Sequence, residues 1–175
     1  MSNRERATDA ADLLNDFIGD LVTGVMAFHE YYQQYQAGKI PWNMMIPIQK
    51  MCLSHLVLTL AKWLEVHAKY HDIFPSETAQ VCRDLSKDIR RRGIPEFRNK
   101  CVGHIWDKDS GKPLVQSEIM DRLGRLTDGN LGNFLAWLNR PEGNTYPNTV
   151  VGIVEKIRDD LVSEYGLSPR DIVDR

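Results

Sequence analysis

The sequence predicts an all-α protein, an antiparallel bundle of about five to seven helices, on three observations. Apolar residues recur at alternating spacings of four and three over long stretches, which is the period of one helix face. Glycine and proline cluster at the ends of those stretches, where helices stop and start. The alternation of apolar and polar residues that marks a half-buried strand is missing throughout.

The first helix is the clearest. Leu14, Ile18, Leu21, Val25, Phe28, Tyr32 and Tyr35 form one seam, Thr8 or Asp9 is expected to cap its start, and Gly38 ends it. Pro41 and Pro47 punctuate the start of a second helix, from Trp42 or Ile48 to Tyr70. Met51, Cys52, Leu53, Leu56, Val57, Leu58, Leu60, Leu64 and Val66 leave this helix little polar surface, so it must be covered on most sides by other helices or by a second subunit. A third helix opens near Ser76 and closes at Gly93. Pro95 suits a first turn, so a fourth helix is expected from about Ile94 towards Ile105. After a turn-rich loop at 107–113, a helix begins at Ser117, pauses at Asp128-Gly129-Asn130 and resumes through Leu138. A last long helix runs from about Asn148 to Gly166, and Ser168-Pro169 is placed to cap one final turn.

A chain of 175 residues supports one substantial core, so residues 1–175 are read as a single domain. Cys52, Cys82 and Cys101 are odd in number, far apart and set in apolar patterns, which reads as reduced core cysteines of a cytoplasmic protein. No signal peptide is visible and no apolar run is read as a membrane span. With neither a Rossmann nor a P-loop glycine pattern, no cofactor is expected.

The net charge of −2 argues against a general affinity for nucleic acid, but its distribution does not. Between Arg83 and Lys100 seven basic residues (Arg83, Lys87, Arg90, Arg91, Arg92, Arg98, Lys100) face three acidic ones, a local +4 that leaves −6 for the remainder. Arg90, Arg91, Arg92 and Lys100 are therefore candidate RNA-binding residues. The competing reading is a solvated helix end whose cations complement the helix dipole ahead of Gly93.

Beside this run stands Phe97-Arg98-Asn99-Lys100-Cys101-Val102-Gly103-His104. On a regular helix Arg98 and His104 lie about 9 Å apart along the axis and roughly 120° apart around it, flanking the seam of Phe97 and Cys101. A guanidinium, an amide and an imidazole so placed can converge on a phosphodiester. RNA carries its own nucleophile, so cleavage needs only proton transfer and stabilisation of phosphoryl charge. His104 suits the first task near neutral pH, Arg98 the second, and Asn99 can orient either His104 or a phosphate oxygen. The bland alternative is a snorkelling arginine and a histidine that ends a helix.

Arg-Asn, four residues and His on a late helix of an all-helical chain resembles the signature of the HEPN superfamily, across residues 42–108, and its spelling is similar to the abortive-infection branch. The helices of 117–175 are then a C-terminal extension. The resemblance implies a metal-independent endoribonuclease of a defence or toxin type, a homodimer with both motifs at one cleft, Arg98, Asn99 and His104 as catalytic residues, RNA (tRNA among the candidates) as substrate, and an antitoxin or regulatory protein as partner. No metal or membrane is implied. The branch controlled by nucleotidyltransferase antitoxins often carries Tyr two residues after the His, where this chain has Trp106, so that control receives no support. Two alternatives stand beside this reading. One is a catalytically inert HEPN-like module that binds RNA, a nucleotide or a protein through the same cleft; the other is a plain scaffold, favoured if the basic run faces away from Arg98 and His104.

Other groupings are weaker. His67 and His71 share a helix face but lack a third metal ligand, and read as surface histidines near a helix end. Cys101 and His104 have metal-compatible spacing without further ligands. His55 reads as a hydrogen-bonded core histidine. Tyr31, Tyr32, Tyr35 and Trp42 suit core packing between the first two helices better than base stacking.

Overall fold

The structure, a computed structural model, describes residues 2–102, 111 and 115–168. Among them are seven α-helices and no strand: α1 Asn3–Gln36, α2 Trp42–Tyr70, α3 Ala79–Arg91, α4 Ile94–Phe97, α5 Gln116–Leu126, α6 Leu131–Leu138 and α7 Val150–Tyr165. A 3₁₀ turn, His71–Ile73, follows α2, and a π turn, Arg98–Val102, follows α4. The all-α bundle expected from the sequence is the fold observed.

α1 begins earlier than Thr8 or Asp9. The Ser2 hydroxyl accepts from the Glu5 N–H while the Ser2 N–H donates to the Glu5 carboxylate, a reciprocal cap that satisfies two end groups at once. Thr8 is instead buried inside the helix, its hydroxyl donating to the Arg4 carbonyl. α2 starts at Trp42, with Pro41 as its cap and Pro47 inside the helix. α3 starts at Ala79 and not near Ser76, because the Thr78 N–H and hydroxyl both turn back to the Pro75 carbonyl. Gly93 ends α3 with φ 70, as its place after the arginines predicts. The pause before α6 is a left-handed turn, Asp128 with φ 48 and Gly129 with φ 75. Asn130 and Thr149 cap α6 and α7 through their side chains, and Gly166 closes α7 in the left-handed conformation. The loop 107–113, apart from Gly111, and the turn at Pro169 lie outside the described residues.

α1 and α2 form an antiparallel hairpin. Arg6 meets Asp72, Phe17 meets Trp63, Gly24 meets Leu56 and Tyr35 meets Trp42, so the two chains run past one another in steady register. α7 lies antiparallel along α1, with Arg158 bonded to Asn15 and Arg4 to the Gly166 carbonyl. α3 packs on α2 through a buried hydrogen bond of 3.0 Å from the Trp63 indole to the Ser86 hydroxyl. One continuous core results, with Leu14, Leu21, Leu56, Leu60, Ile89, Val154 and Ile157 at zero exposure.

The structure qualifies three sequence expectations. Within Trp42–Ile73 an 18-residue window reaches a mean hydropathy of 1.4, enough by length and composition alone to cross a membrane, a test that a buried core helix passes as well. The chain's own helices cover α2 only in part, since Met44, Met51 and Leu58 stay exposed at 50%, 71% and 41%. Likewise the aromatic group at the hairpin end is only partly core: Tyr35 is half-buried, while Tyr31, Tyr32 and Trp42 are exposed.

Gly24 sets the closest approach of α1 and α2. An added Cβ there would lie 2.7 Å from Leu56 and 3.0 Å from His55. Gly24→Val is expected to cost about 1–3 kcal/mol through overpacking, read as a lower urea midpoint at unchanged m-value.

Candidate functional site

Gly93 closes α3 and caps α4 at once, so the chain turns sharply and α4 is a single turn, Ile94–Phe97, anchored by the buried Ile94 and Phe97. A regular helix onward to Ile105 was expected; the described part of that stretch widens into the π turn Arg98–Val102. The widening has a packing reason. On an α-helix Phe97 and Val102 would point about 140° apart, whereas the longer repeat of a π turn brings them to one side. Phe97, Cys101 and Val102 accordingly pack on the core, and Arg98 and Asn99 are turned to solvent.

Arg98 is 44% exposed at its side chain, and its Nη1 sits 3.2 Å from Oε1 of Glu65 on α2. That carboxylate is itself 70% exposed, so the pair is solvated and contributes little stability, about 0–1 kcal/mol before salt screening. An incoming phosphate oxygen can therefore exchange with Glu65 at small cost. Asn99 is exposed and Lys100 half-buried beside it. His104, the third expected catalytic residue, and Trp106 lie outside the described residues.

The basic run does not form one patch. Arg92 is only 9% exposed and belongs to the core: its guanidinium lies 4.4 Å from the Trp137 ring centroid, donates to the Leu126 carbonyl and pairs with Asp128 at 2.9 Å. Burial lowers its pKa, and Asp128 opposes that shift. Arg91 holds Asp128 through two hydrogen bonds and Asp88 through a third. These two arginines tie α3 to the turn between α5 and α6, so Arg92 cannot serve the RNA contact expected of it and Arg91 is occupied. Arg90 is exposed and, among the described residues, donates only to the Ser86 carbonyl of its own helix.

Arg122 and Arg125 of α5, neither singled out by the sequence reading, meet Glu96 of α4 in a cleft of about 280 Å³. Sequence spacing gives no signal for that encounter, because Glu96 and Arg122 stand 26 residues apart on separate helices. A second cleft, about 290 Å³, runs between α1 and α2 and is lined by Leu13, Phe17, Asp20, Lys62 and Glu65 among others. Glu65 thus links this cleft to Arg98.

The remaining candidates separate. Cys52, Cys82 and Cys101 are free thiols, and burial pushes the Cys82 thiol up to about 11. The imidazole of His55 is within 2.9 Å of the Asp20 carbonyl oxygen, but the side chain is 42% exposed, so it is a rim residue and not a core one. Among the described residues no three His, Cys, Asp or Glu side chains form a metal-holding group.

No family model matches this chain, and no curated protein matches it. An integron cassette protein from the mobile metagenome of V. paracholerae has a similar solved structure, with a TM-score of 0.76, 23% identity, and coverage of 92% of this chain and 97% of that one. The likeness establishes the fold class, an all-α bundle shared along nearly the whole of both chains.

The contrast between adjacent arginines is directly measurable. Arg92→Gln is expected to lower stability by about 3 kcal/mol, since it strips a buried cation from Asp128 and two aromatic rings. Arg90→Gln should stay within about 0.5 kcal/mol of the parent in the same urea titration.

Proposed function

We propose that the protein is a metal-independent endoribonuclease of a defence or toxin type, resembling HEPN enzymes, that works as a homodimer in the cytoplasm. The observation that carries this reading is the π turn, which turns Arg98 and Asn99 to solvent next to a basic helix. Such turns are rare and concentrate at functional sites. In this reading Arg98 leaves Glu65 for the non-bridging oxygens of a phosphodiester, where its planar fork offsets the charge that develops. His104 moves the proton: it accepts from the 2′-hydroxyl or donates to the leaving 5′-oxygen, and Asn99 orients it or a phosphate oxygen. The 2′-oxygen bonds to phosphorus as the 5′-oxygen departs, leaving a 2′,3′-cyclic phosphate and a 5′-hydroxyl. One motif histidine per chain leaves the second proton-transfer role to a partner copy or to water. The uncovered Met44, Met51 and Leu58 on α2 supply an apolar face for such a copy. RNA, with tRNA among the candidates, is the substrate, and an antitoxin or regulatory protein is the expected controller.

One observation favours the alternative of an inert binding module. Glu65 neutralises Arg98 in the structure, as it would in a protein that uses this turn only to dock a ligand.

The deciding experiment is cleavage of labelled tRNA and single-stranded RNA in excess EDTA. Cyclic phosphate ends that disappear in Arg98→Ala and in His104→Ala are expected, with losses of about a hundredfold or more. Cutting that survives both substitutions would refute the assignment of these residues, and no cutting by the parent would favour the inert module.

A further inference from the structure

The buried Trp63–Ser86 hydrogen bond fixes which faces of α2 and α3 meet. From Ser86, Arg90 and Arg83 lie about 40° and 60° round the α3 wheel, on one flank and two turns apart. From Trp63, His67 lies about 40° round the α2 wheel, and His71, the first residue of the 3₁₀ turn, has its ring 5.6 Å from that of His67. Both helices therefore carry their basic groups to the same groove.

Partner chemistry separates these residues from the other cations of α3. Lys87, Arg91 and Arg92 each pair with a carboxylate. Arg83 bonds only to the Gln80 amide and Arg90 only to the Ser86 carbonyl among the described residues. The two imidazoles lie 5.6 Å apart, with the His67 ring also packed on Trp63 at 5.9 Å and on Phe74 at 6.4 Å. His71 Nδ1 lies 3.1 Å from the His67 carbonyl oxygen, and no described residue bonds the ring nitrogens of His67. Asp72 is the carboxylate beside His71, and Arg6 already holds it with two hydrogen bonds.

We infer that Arg83, Arg90, His67 and His71 form a phosphate-binding groove that takes the backbone of an RNA strand and grips it more tightly as the pH falls. Two fixed cations supply affinity at any pH, and His67 adds charge and an N–H donor when protonated. Without a ligand, burial, His71 and the charges of Arg90 and Arg83 hold His67 below its ordinary pKa. An anion in the groove reverses the balance, so binding takes up protons and strengthens below about pH 6.5. The phosphodiester keeps its charge over that range, so the pH dependence comes from the protein.

Glu65 lies about 200° from Trp63 on the α2 wheel, which places the Arg98–Glu65 pair on a different face from this groove. Only the choice of RNA as the strand rests on the nuclease reading; the phosphate chemistry does not. The test uses a labelled 2′-O-methyl oligonucleotide, which lacks the attacking hydroxyl, so binding is read without cleavage. Fluorescence anisotropy at about pH 5.8 and about pH 7.8 is compared for the parent, Arg98→Ala, the double variant Arg83→Gln/Arg90→Gln and the double variant His67→Gln/His71→Gln. The arginine variant should bind about tenfold more weakly and lower the slope of log affinity against log salt by about 1.4, two phosphate contacts on a single strand. The histidine variant should bind alike at the two pH values. Arg83 and Arg90 are exposed, so circular dichroism should show their variant folded. A folded arginine variant with parental affinity would overturn the groove, and a pH dependence that persists without both histidines would overturn their part in it. Sulfate, whose charge is constant over this range, provides the small-anion arm. If it shifts the His67 and His71 proton resonances while the strand does not bind, the groove stands and its ligand is a free phosphate group. If Arg98→Ala abolishes cleavage but leaves this binding intact, the two surfaces are separate.

Discussion

The arrangement of this bundle depends on Trp63. Its ring is at zero exposure, packed against Phe17 of α1 and Phe74 of the connection to α3, and its indole N–H is satisfied by Ser86 of α3. A buried indole must find a hydrogen-bond partner or lose the full desolvation cost of its N–H, so the rotation of α3 against α2 has one satisfied solution. That rotation decides which residues of the basic helix face α2 and which face outward. Gly24 does the corresponding work on the other side, letting α1 approach within contact of Leu56.

Electrostatics in the run from Arg83 to Lys100 is governed by partners and burial, not by the count of charges. Arg92 is a core cation held by aromatic faces, a carbonyl and Asp128; Arg91 braces the same aspartate from the solvent side. Together they fix the left-handed turn at Asp128 and so the position of α6. Arg83, about two turns before Arg91, and Arg90, the residue just before it, bond only neutral acceptors among the described residues, and their charges act on His67. Arg98 is separated from all of these by the bend at Gly93 and answers to Glu65 on α2. One basic segment of sequence thus serves a structural brace, the proposed phosphate-binding groove and a candidate catalytic turn.

The weakness of the Arg98–Glu65 pair has a functional sense. A buried pair would hold Arg98 too firmly to be exchanged, whereas a solvated one is the kind that the proposed exchange of the Glu65 carboxylate for a phosphate requires. The π turn contributes to the same end by keeping Phe97, Cys101 and Val102 on the core while Arg98 and Asn99 project outward. The apolar surface that α2 leaves uncovered lies on the hairpin that also carries Glu65, so a second copy seated there would approach the candidate turn.

Local chemistry was legible from the chain by itself. The four-and-three spacing from Leu14 to Tyr35 marked α1, and the glycines at 93, 129 and 166 marked real helix breaks, because side-chain periodicity and left-handed backbone are properties of a few adjacent residues. The Phe97–His104 segment was visible for the same reason, as a set of reactive groups close in sequence. What the tertiary structure alone decided was each charge's partner. Nothing in the spacing distinguishes Arg92 from Arg90, yet one is buried against Trp137 and the other lies open beside His67, since the partners come from α2, α5 and α6. The π turn escaped prediction likewise, because it is set by how Phe97, Cys101 and Val102 meet the core and not by their spacing along the chain. Periodicity is written in neighbouring residues; charge environment is written in distances across the fold, and only folding supplies those.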